Sequence, residues 1–182
     1  MSTIENIMTA VELLQTPGLG RCELVHGELI QMTPAGFEHG RIAAEIGGVL
    51  RDFVKARALG VVTGAETGFH IGHDPDTVRA PDAAFIRQER VPPTPVRGFF
   101  PAAPDLAVEI ISPGDRAGEV LAKAKDWLGA GCGAVWVLDP ETKTVTVYRG
   151  LDRIVVLDPD DTLTGDDVLP GFSLPVGEIF AG

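Results

Sequence analysis

The chain has 182 residues, 45% of them hydrophobic, and a formal net charge of −11 at pH 7. This length and apolar content predict a single domain over residues 1–182 and exclude wholesale disorder, while the acidic balance argues against holding nucleic acid by bulk charge alone. No apolar run reaches the roughly 18 to 20 residues that a membrane-spanning helix needs, and residues 1–8 do not resemble a signal peptide, so we expect a cytoplasmic protein with no membrane partner.

The N-terminal part of the chain predicts a helix, a hairpin and a second helix. Apolar residues at helical spacing over 4–14 indicate a short opening helix. Two short runs, 21–25 and 28–32, flank a His-Gly pair and predict a β-hairpin. From 39 to 58 the apolar positions follow a period of 3.6 residues, which predicts a long amphipathic helix.

The middle of the chain predicts a sheet that contains a βαβ unit. Three runs bounded by Gly, Asp and Pro predict the strands that begin the sheet, at 61–67, 68–72 and 83–86. Beyond a Pro-rich stretch come an apolar run, an amphipathic helix and another apolar run, at 106–111, 116–128 and 134–138. This order predicts two parallel strands joined by a right-handed crossover.

The C-terminal part predicts further strands and segments that pack on the body. Residues 144–148 predict a strand antiparallel to the one before it, and 154–157 extends the pairing. Two apolar segments near the end are expected to pack back on the rest, at 168–172 and 176–180. The predicted fold class is therefore α/β (α+β), a mixed β-sheet flanked by helices. Its three parts are an N-terminal helix and hairpin, a core, and C-terminal strands and tail, at 1–38, 39–140 and 141–182.

Two carboxylates have unusual surroundings for acidic residues. Glu109 lies inside the apolar run 106–111, where an ionised carboxylate is costly unless a cation or hydrogen-bond donors compensate it. Asp82 follows Pro81, which cannot donate to a β-ladder, so Asp82 is expected at the mouth of the next strand. Together they predict an oxygen-rich site of the kind that Mg²⁺ prefers. The structural alternatives are an Arg partner for Glu109 and a turn-forming role for Asp82.

The helix predicted over 116–128 carries two lysines, Lys123 and Lys125, on opposite flanks of its apolar stripe, and periodicity does not choose between them. Lys123 has Val120 and Trp127 at three- and four-residue spacing. Its aliphatic stem can therefore lie on the core while its ammonium reaches the edge of a sheet. A solvated position on the helix face is the alternative.

Other reactive residues form weaker patterns. Cys22 and Cys132 are far apart and lack metal-ligand spacing, so we predict buried small hydrophobic residues and neither a disulfide nor a zinc site. A hydrolase with a nucleophilic residue finds little support. Ser112 lacks a GxSxG motif, and no motif connects it with His70 or His73.

Several motifs follow one another along nearly the whole chain. They are Cys22-Glu-Leu-Val-His-Gly-Glu-Leu29, Thr33-Pro34, His39, Arg79-Ala-Pro-Asp82, Ala103-Pro-Asp-Leu-Ala-Val-Glu109-Ile-Ile-Ser-Pro113, Lys123 with Trp127, Ala130-Gly131, and Val135-Trp-Val-Leu-Asp-Pro140. Taken together they resemble the bacterial Uma2 family of restriction-endonuclease-like proteins, which belongs to the PD-(D/E)XK nuclease superfamily. The resemblance implies a restriction-endonuclease-like fold.

The resemblance also implies roles for particular residues. Asp82 matches the Asp of the PD motif, and Glu109 matches the second acidic residue. The Lys that the signature has two positions later is Ile111 here, and the family position that supplies it on the following helix is Lys123. Asp82, Glu109 and the backbone carbonyl of Ile110 are then expected to hold Mg²⁺, with Mn²⁺ as a substitute. Two supporting residues are implied as well, Glu28 in the hairpin and His39 at the start of the long helix.

Two hypotheses on function follow. The first is a metal-dependent endonuclease that hydrolyses DNA phosphodiester bonds, with Lys123 assisting the attacking water or offsetting transition-state charge. The second is a catalytically silent nuclease-fold protein that acts in binding or assembly. A homodimer is also expected, because nucleases that cut both strands often pair two sites, and the apolar Val145, Val147 and C-terminal segments could form its surface.

Overall fold

The structure, a computed structural model, describes residues 7–181. Within this range it contains twelve β-strands and four α-helices, two of which are long. In chain order they are α1 (Ala10–Gln15), β1 (Cys22–Val25), β2 (Glu28–Gln31), α2 (Phe37–Ala56), β3 (Gly60–Gly64), β4 (Phe69–Gly72), β5 (Thr77–Arg79), β6 (Ala83–Arg87), β7 (Leu106–Ile110), α3 (Ala117–Gly129), β8 (Ala134–Asp139), β9 (Thr144–Gly150), β10 (Arg153–Leu157), β11 (Thr162–Thr164), β12 (Ser173–Pro175) and α4 (Val176–Phe180).

A six-stranded mixed sheet forms the centre, with its strands in the order β10-β9-β8-β7-β6-β3. Strands β7 and β8 are parallel, with Glu109 opposite Val137, and α3 connects them. The predicted βαβ unit is thus confirmed. All other neighbouring pairs in this sheet are antiparallel, including the predicted pairs of β9 with β8 and with β10. The predicted class, a mixed sheet flanked by helices, is therefore confirmed.

A second sheet has four strands in the order β2-β1-β5-β4. It contains the predicted hairpin, in which Val25 pairs with Glu28. The prediction that 68–72 belongs to the central sheet is wrong, because β4 pairs with β5 instead. The sequence pattern missed β5, since three residues are too few to show the alternation of a strand.

The two faces of the central sheet are covered by different elements. On one face, α2 packs Ile42, Ile46 and Leu50 against the sheet, together with the C-terminal Leu169 and Ile179. This confirms that the C-terminal segments pack back on the body. On the other face α3 packs against β7 and β8, with the buried residues Ala107, Ala124, Trp127, Val135 and Val137. The functional candidates lie where this face meets the second sheet.

The boundaries of the helices differ slightly from the prediction. Helix α1 begins at Ala10 rather than at residue 4, because Thr9 caps it: its hydroxyl accepts a hydrogen bond from the backbone N–H of Glu12 at 3.2 Å. Residues 4–6 of the predicted helix lie outside the described residues. The long helix is confirmed, two residues earlier than predicted at each end.

The predicted dimer surface is wrong where it relies on Val145, Val147 and the apolar side chains of the C-terminal segments, which are buried in the central core. The exposed apolar side chains near them, Ile154 and Val155, belong to the edge strand β10. A homodimer stays a prediction.

The two cysteines differ in burial, and neither forms a disulfide. Cys132 is buried as predicted, whereas Cys22, at the first position of β1, is only half-buried. Among residues 7–181, none of the helices combines the length and the apolar character that crossing a membrane would require.

Candidate active site

The pairing of β6 with β7 brings Asp82 and Glu109 to the same end of the central sheet. Asp82 directly precedes β6, and its backbone N–H donates to the carbonyl of Val108 at 2.9 Å. The carboxylate of Asp82 accepts a hydrogen bond from the backbone N–H of Ile110 at 2.8 Å. Asp82 is therefore held against the two residues that flank Glu109. Asp82 thus lies at the start of β6, as predicted, and its side chain is only 5% exposed.

Two side chains from other elements contact Asp82. Nε2 of His39, in the first turn of α2, lies 3.2 Å from Oδ2 of Asp82, and a guanidinium nitrogen of Arg21 lies 3.6 Å from Oδ1. The hydrogen bond to Asp82 raises the pKa of His39, although burial of the imidazole opposes this shift. The predicted supporting residue His39 thus contacts Asp82 directly.

Glu109 lies on the face of β7 that α3 covers, and it is 6% exposed. Its carboxylate accepts a hydrogen bond from the indole N–H of Trp127 at 2.8 Å and from the ammonium of Lys123 at 3.4 Å. Burial raises the pKa of Glu109 to about 7, and the charges of Asp82 and Glu23 add to the rise. Lys123 and Trp127 oppose it. The sequence predicted that this buried carboxylate has a cation or hydrogen-bond donors as partners. Both are present, and both come from α3.

The structure distinguishes the two lysines that periodicity left equivalent. Lys123 reaches Glu109 with a side chain that is 25% exposed, whereas Lys125 is exposed on the other flank of α3. Ile111, which replaces the lysine of the superfamily signature, packs against the core under α3. Burial lowers the pKa of Lys123, but the charge of Glu109 and those of nearby acids outweigh this effect and raise it. Lys123 is therefore an ammonium at neutral pH.

A buried ion network beside the site was not predicted. The Arg79 guanidinium lies 2.7 Å from a carboxylate oxygen of Glu23, and its Nε donates to Asp126 of α3 at 3.1 Å. Glu23 is only 1% exposed and also accepts a hydrogen bond from the backbone N–H of Ala80. The network connects β1, β5 and α3 behind the site. Glu23 could have been found by the argument used for Glu109, since it too interrupts a short apolar strand.

A cleft of about 680 Å³ lies between the second sheet and the end of the central sheet. It is lined by Asp82 and Glu109 together with Arg21, Glu23, His39, Arg79 and Lys123. The predicted residues Glu28 and Ile110 also line it, and Glu28 is exposed at its wall. The acidic lining residues are Glu23, Glu28, Asp82, Glu109, Asp115 and Glu119, whereas the Lys and Arg residues are Arg21, Arg79 and Lys123. The cleft therefore has an excess of carboxylates, which favours cations over anions.

The donor chemistry of the cleft fits a hard divalent cation. Asp82 and Glu109 offer carboxylate oxygens, which are ligands typical of Mg²⁺, and Ile110, whose backbone carbonyl is the predicted further ligand, also lines the cleft. In residues 7–181, Asp82 and Glu109 do not form a tight group with a third His, Cys, Asp or Glu side chain.

The residues considered for a nucleophilic hydrolase do not come together. Ser112 lines the cleft, whereas His70 and His73 lie at the tip of the β4–β5 hairpin, outside the cleft lining. No Ser-His pair of this kind therefore forms at the site within the described residues.

Comparisons with known proteins give a family match and a structural match. The model of the Uma2 family, described as "Putative restriction endonuclease", matches residues 10–177. No curated protein matches the chain. A crystal structure of "a putative nuclease belonging to DUF820" from Anabaena variabilis ATCC 29413 is 26% identical to the chain, with a TM-score of 0.84. This similarity covers 95% of the present chain and 97% of the other.

Proposed function

Because the chain belongs to the Uma2 family of restriction-endonuclease-like proteins, we propose that it is an endonuclease that hydrolyses DNA phosphodiester bonds with a divalent metal ion. The structural neighbour is likewise described as a nuclease. The observation that carries the proposal is the buried Glu109 carboxylate, held beside Asp82 by donors from Lys123 and Trp127 in an acidic cleft.

Asp82, Glu109 and the backbone carbonyl of Ile110 would hold the metal, which is Mg²⁺ in this proposal, with Mn²⁺ as a substitute. When bound, such an ion polarises the scissile phosphate and lowers the pKa of an attacking water. The excess of carboxylates in the cleft supports a metal requirement, since a phosphate would otherwise meet mainly negative charge. His39 has a supporting role, because its contact with Asp82 at 3.2 Å fixes the orientation of that carboxylate.

Lys123 and Arg21 would act on the phosphate group. Lys123 is an ammonium, so it cannot accept a proton from water, but it can orient water and offset the negative charge that develops during in-line attack. Arg21 lies on the Asp82 side of the cleft, and its buried Nε has no hydrogen-bond partner in the part of the chain that the structure describes. Its positive charge beside Asp82 is what favours a phosphate group at this side of the cleft.

The second candidate is a catalytically silent protein that uses the cleft for binding. The net charge of −11 favours it, because a negatively charged protein is repelled by the DNA backbone. Both candidates keep a metal in the cleft, so metal binding alone does not separate them. Cleavage does.

The test is cleavage of plasmid and single-stranded DNA with Mg²⁺ and with Mn²⁺. Wild-type protein is compared with Glu109→Ala and Lys123→Ala, and Lys125→Ala is the matched control on the exposed flank of α3. We expect metal-dependent cutting by the wild type and by Lys125→Ala, and none by the other two variants. Undiminished cutting by Glu109→Ala would refute the assignment of the site. If Mg²⁺ raises the melting temperature of the wild type, but not of Glu109→Ala, and no DNA is cut, the silent binding protein is favoured.

A further inference from the structure

A cluster of metal-ligand side chains lies at the tip of the β4–β5 hairpin, outside the cleft lining. It consists of His70 in β4, His73 in the turn and Asp76 just before β5, spaced as His-x2-His-x2-Asp. One ligand atom from each residue lies within 4.8 Å of the other two. In residues 7–181 this is the one group of three His, Cys, Asp or Glu side chains that meets so closely. It is independent of the proposed nuclease chemistry.

The distances within this hairpin-tip cluster suit a tetrahedral metal site. Nε2 of His70 lies 3.0 Å from Oδ1 of Asp76, and Nδ1 of His73 lies 3.8 Å from the same oxygen. Ligand atoms about 2.0 Å from a tetrahedral zinc ion are about 3.3 Å apart, which falls between these two values. Small side-chain movements would therefore bring all three ligands to bonding distance. His73 has the freedom to make them, since its side chain is 68% exposed.

Asp76 is held in place by contacts that leave one of its oxygens for a ligand role. Its Oδ2 accepts a hydrogen bond from the backbone N–H of Ala10, the first residue of α1, at 2.7 Å. Its backbone carbonyl accepts another from Gly27 in the β1–β2 turn at 2.8 Å. The hydrogen bond from Ala10 lowers the pKa of Asp76, and His70 and His73 contribute to the lowering. Such outer contacts are typical of metal ligands, because they fix the orientation of the carboxylate.

We propose that His70, His73 and Asp76 form a second metal site, which binds one divalent transition-metal ion of the Zn²⁺ type and leaves the fourth position to water. Two imidazoles and one carboxylate favour Zn²⁺ over Mg²⁺, which prefers oxygen ligands. The ion ties β4 to the start of β5. Because Asp76 also accepts a hydrogen bond from the backbone N–H of Ala10, the ion secures the docking of α1 as well.

Calorimetric titration of the metal-free full-length chain with Zn²⁺, in the presence of excess Mg²⁺ to occupy the cleft, tests this proposal. We expect one Zn²⁺ ion per chain. The affinity for Zn²⁺ should fall by about tenfold or more in His73→Gln and in His70→Gln. Zn²⁺ should also raise the melting temperature of the wild type but not of these two variants. His73→Gln is the main variant, because its exposed side chain is not needed for folding.

Two controls separate this site from other sources of zinc binding. His26→Asn removes an exposed histidine of the neighbouring β1–β2 turn, where Asn tolerates the positive φ of 49°. Glu109→Gln removes the charge of one of the proposed metal ligands in the cleft. We expect both controls to bind Zn²⁺ as the wild type does. The proposal is overturned if His73→Gln binds Zn²⁺ as tightly as the wild type, or if the wild type binds no Zn²⁺. It is also overturned if only Glu109→Gln loses Zn²⁺ binding, because the zinc would then lie in the cleft.

Discussion

The cleft and the hairpin-tip cluster both gather metal-ligand side chains, but they do so in opposite surroundings. Asp82 and Glu109 are almost fully buried, and their partners are an imidazole, a guanidinium, an indole and an ammonium. At the hairpin tip, His70 and Asp76 are partly exposed and His73 is largely exposed. One site is therefore built into the interior of the protein, and the other lies at the edge of a small sheet.

The difference shows how burial determines what an acidic residue requires. Glu109 has to be compensated by donors on α3, and its pKa still rises to about 7 because it is buried. Asp76 is less buried, and the hydrogen bond from the Ala10 backbone N–H outweighs burial and lowers its pKa. The cleft thus depends on a network of partners, whereas the hairpin-tip cluster depends on local spacing. Substitutions that remove charge or partners in the cleft should have large effects there and none on zinc binding at the hairpin.

The largest effect is expected for Asp82→Asn. The variant keeps the shape of the side chain but removes the charge that a metal ion needs, so DNA cleavage should fall by about 10²- to 10³-fold or more. Zinc binding at the hairpin tip should not change. The matched control is Asp52→Asn on the exposed face of α2, which should cut DNA as the wild type does. If Asp82→Asn lost both DNA cleavage and zinc binding, the cleft and the hairpin-tip cluster would not be independent sites.

The next effect is on stability and concerns Arg79→Met. This variant leaves the carboxylate of Glu23 buried without its guanidinium partner, which should lower the free energy of unfolding by about 3–5 kcal/mol. Urea denaturation measures the loss. Arg51→Met removes an ion pair with Asp52 in which both side chains are largely exposed, so it should change stability little. Similar unfolding midpoints for the two variants would show that the buried network does not stabilise the cleft.

A smaller effect is expected for Trp127→Phe, which removes the indole donor to Glu109 and keeps an aromatic ring in the core. Cleavage should fall by about 10- to 100-fold, as for other partners that orient a metal ligand. Half-maximal activity should move to higher pH, because a contact that lowers the pKa of Glu109 is lost. Trp136→Phe is the matched control, since Trp136 is also buried and its Nε1 has no partner among residues 7–181. Equal activity of both variants would show that the hydrogen bond to Glu109 has no functional role.

The smallest effect is the pH dependence of metal affinity in the cleft. The folded-state pKa of Glu109 is raised to about 7, so below this pH the metal has to displace a proton. Calorimetry with Mn²⁺ should show affinity rising by about tenfold per pH unit up to pH 7 and levelling above it. In Glu109→Gln this dependence should disappear. A wild-type affinity that is constant from pH 5.5 to 8 would contradict the burial of an ionising Glu109 at the metal position.

Much of the fold could be predicted because it depends on local patterns. The periodicity of α2, the βαβ order around α3 and the His-Gly turn of the first hairpin are all visible within short stretches of sequence. Strand β5 could not be predicted, since three residues carry no period and its partners β1 and β4 are distant in sequence. For the same reason, the existence of a second sheet was not visible.

The sequence by itself determined that Glu109 needs partners, because a carboxylate in a continuous apolar strand is costly whatever surrounds it. It also indicated Asp82 as a companion. The family resemblance had already favoured Lys123 over Lys125. Only the tertiary structure showed that the Lys123 ammonium and the Trp127 indole reach Glu109, and that Glu23 and Arg79 form a network beside the site. The physical reason is that the apolar character of a strand can be read from residues adjacent in the chain, whereas an ion pair depends on how elements distant in sequence pack.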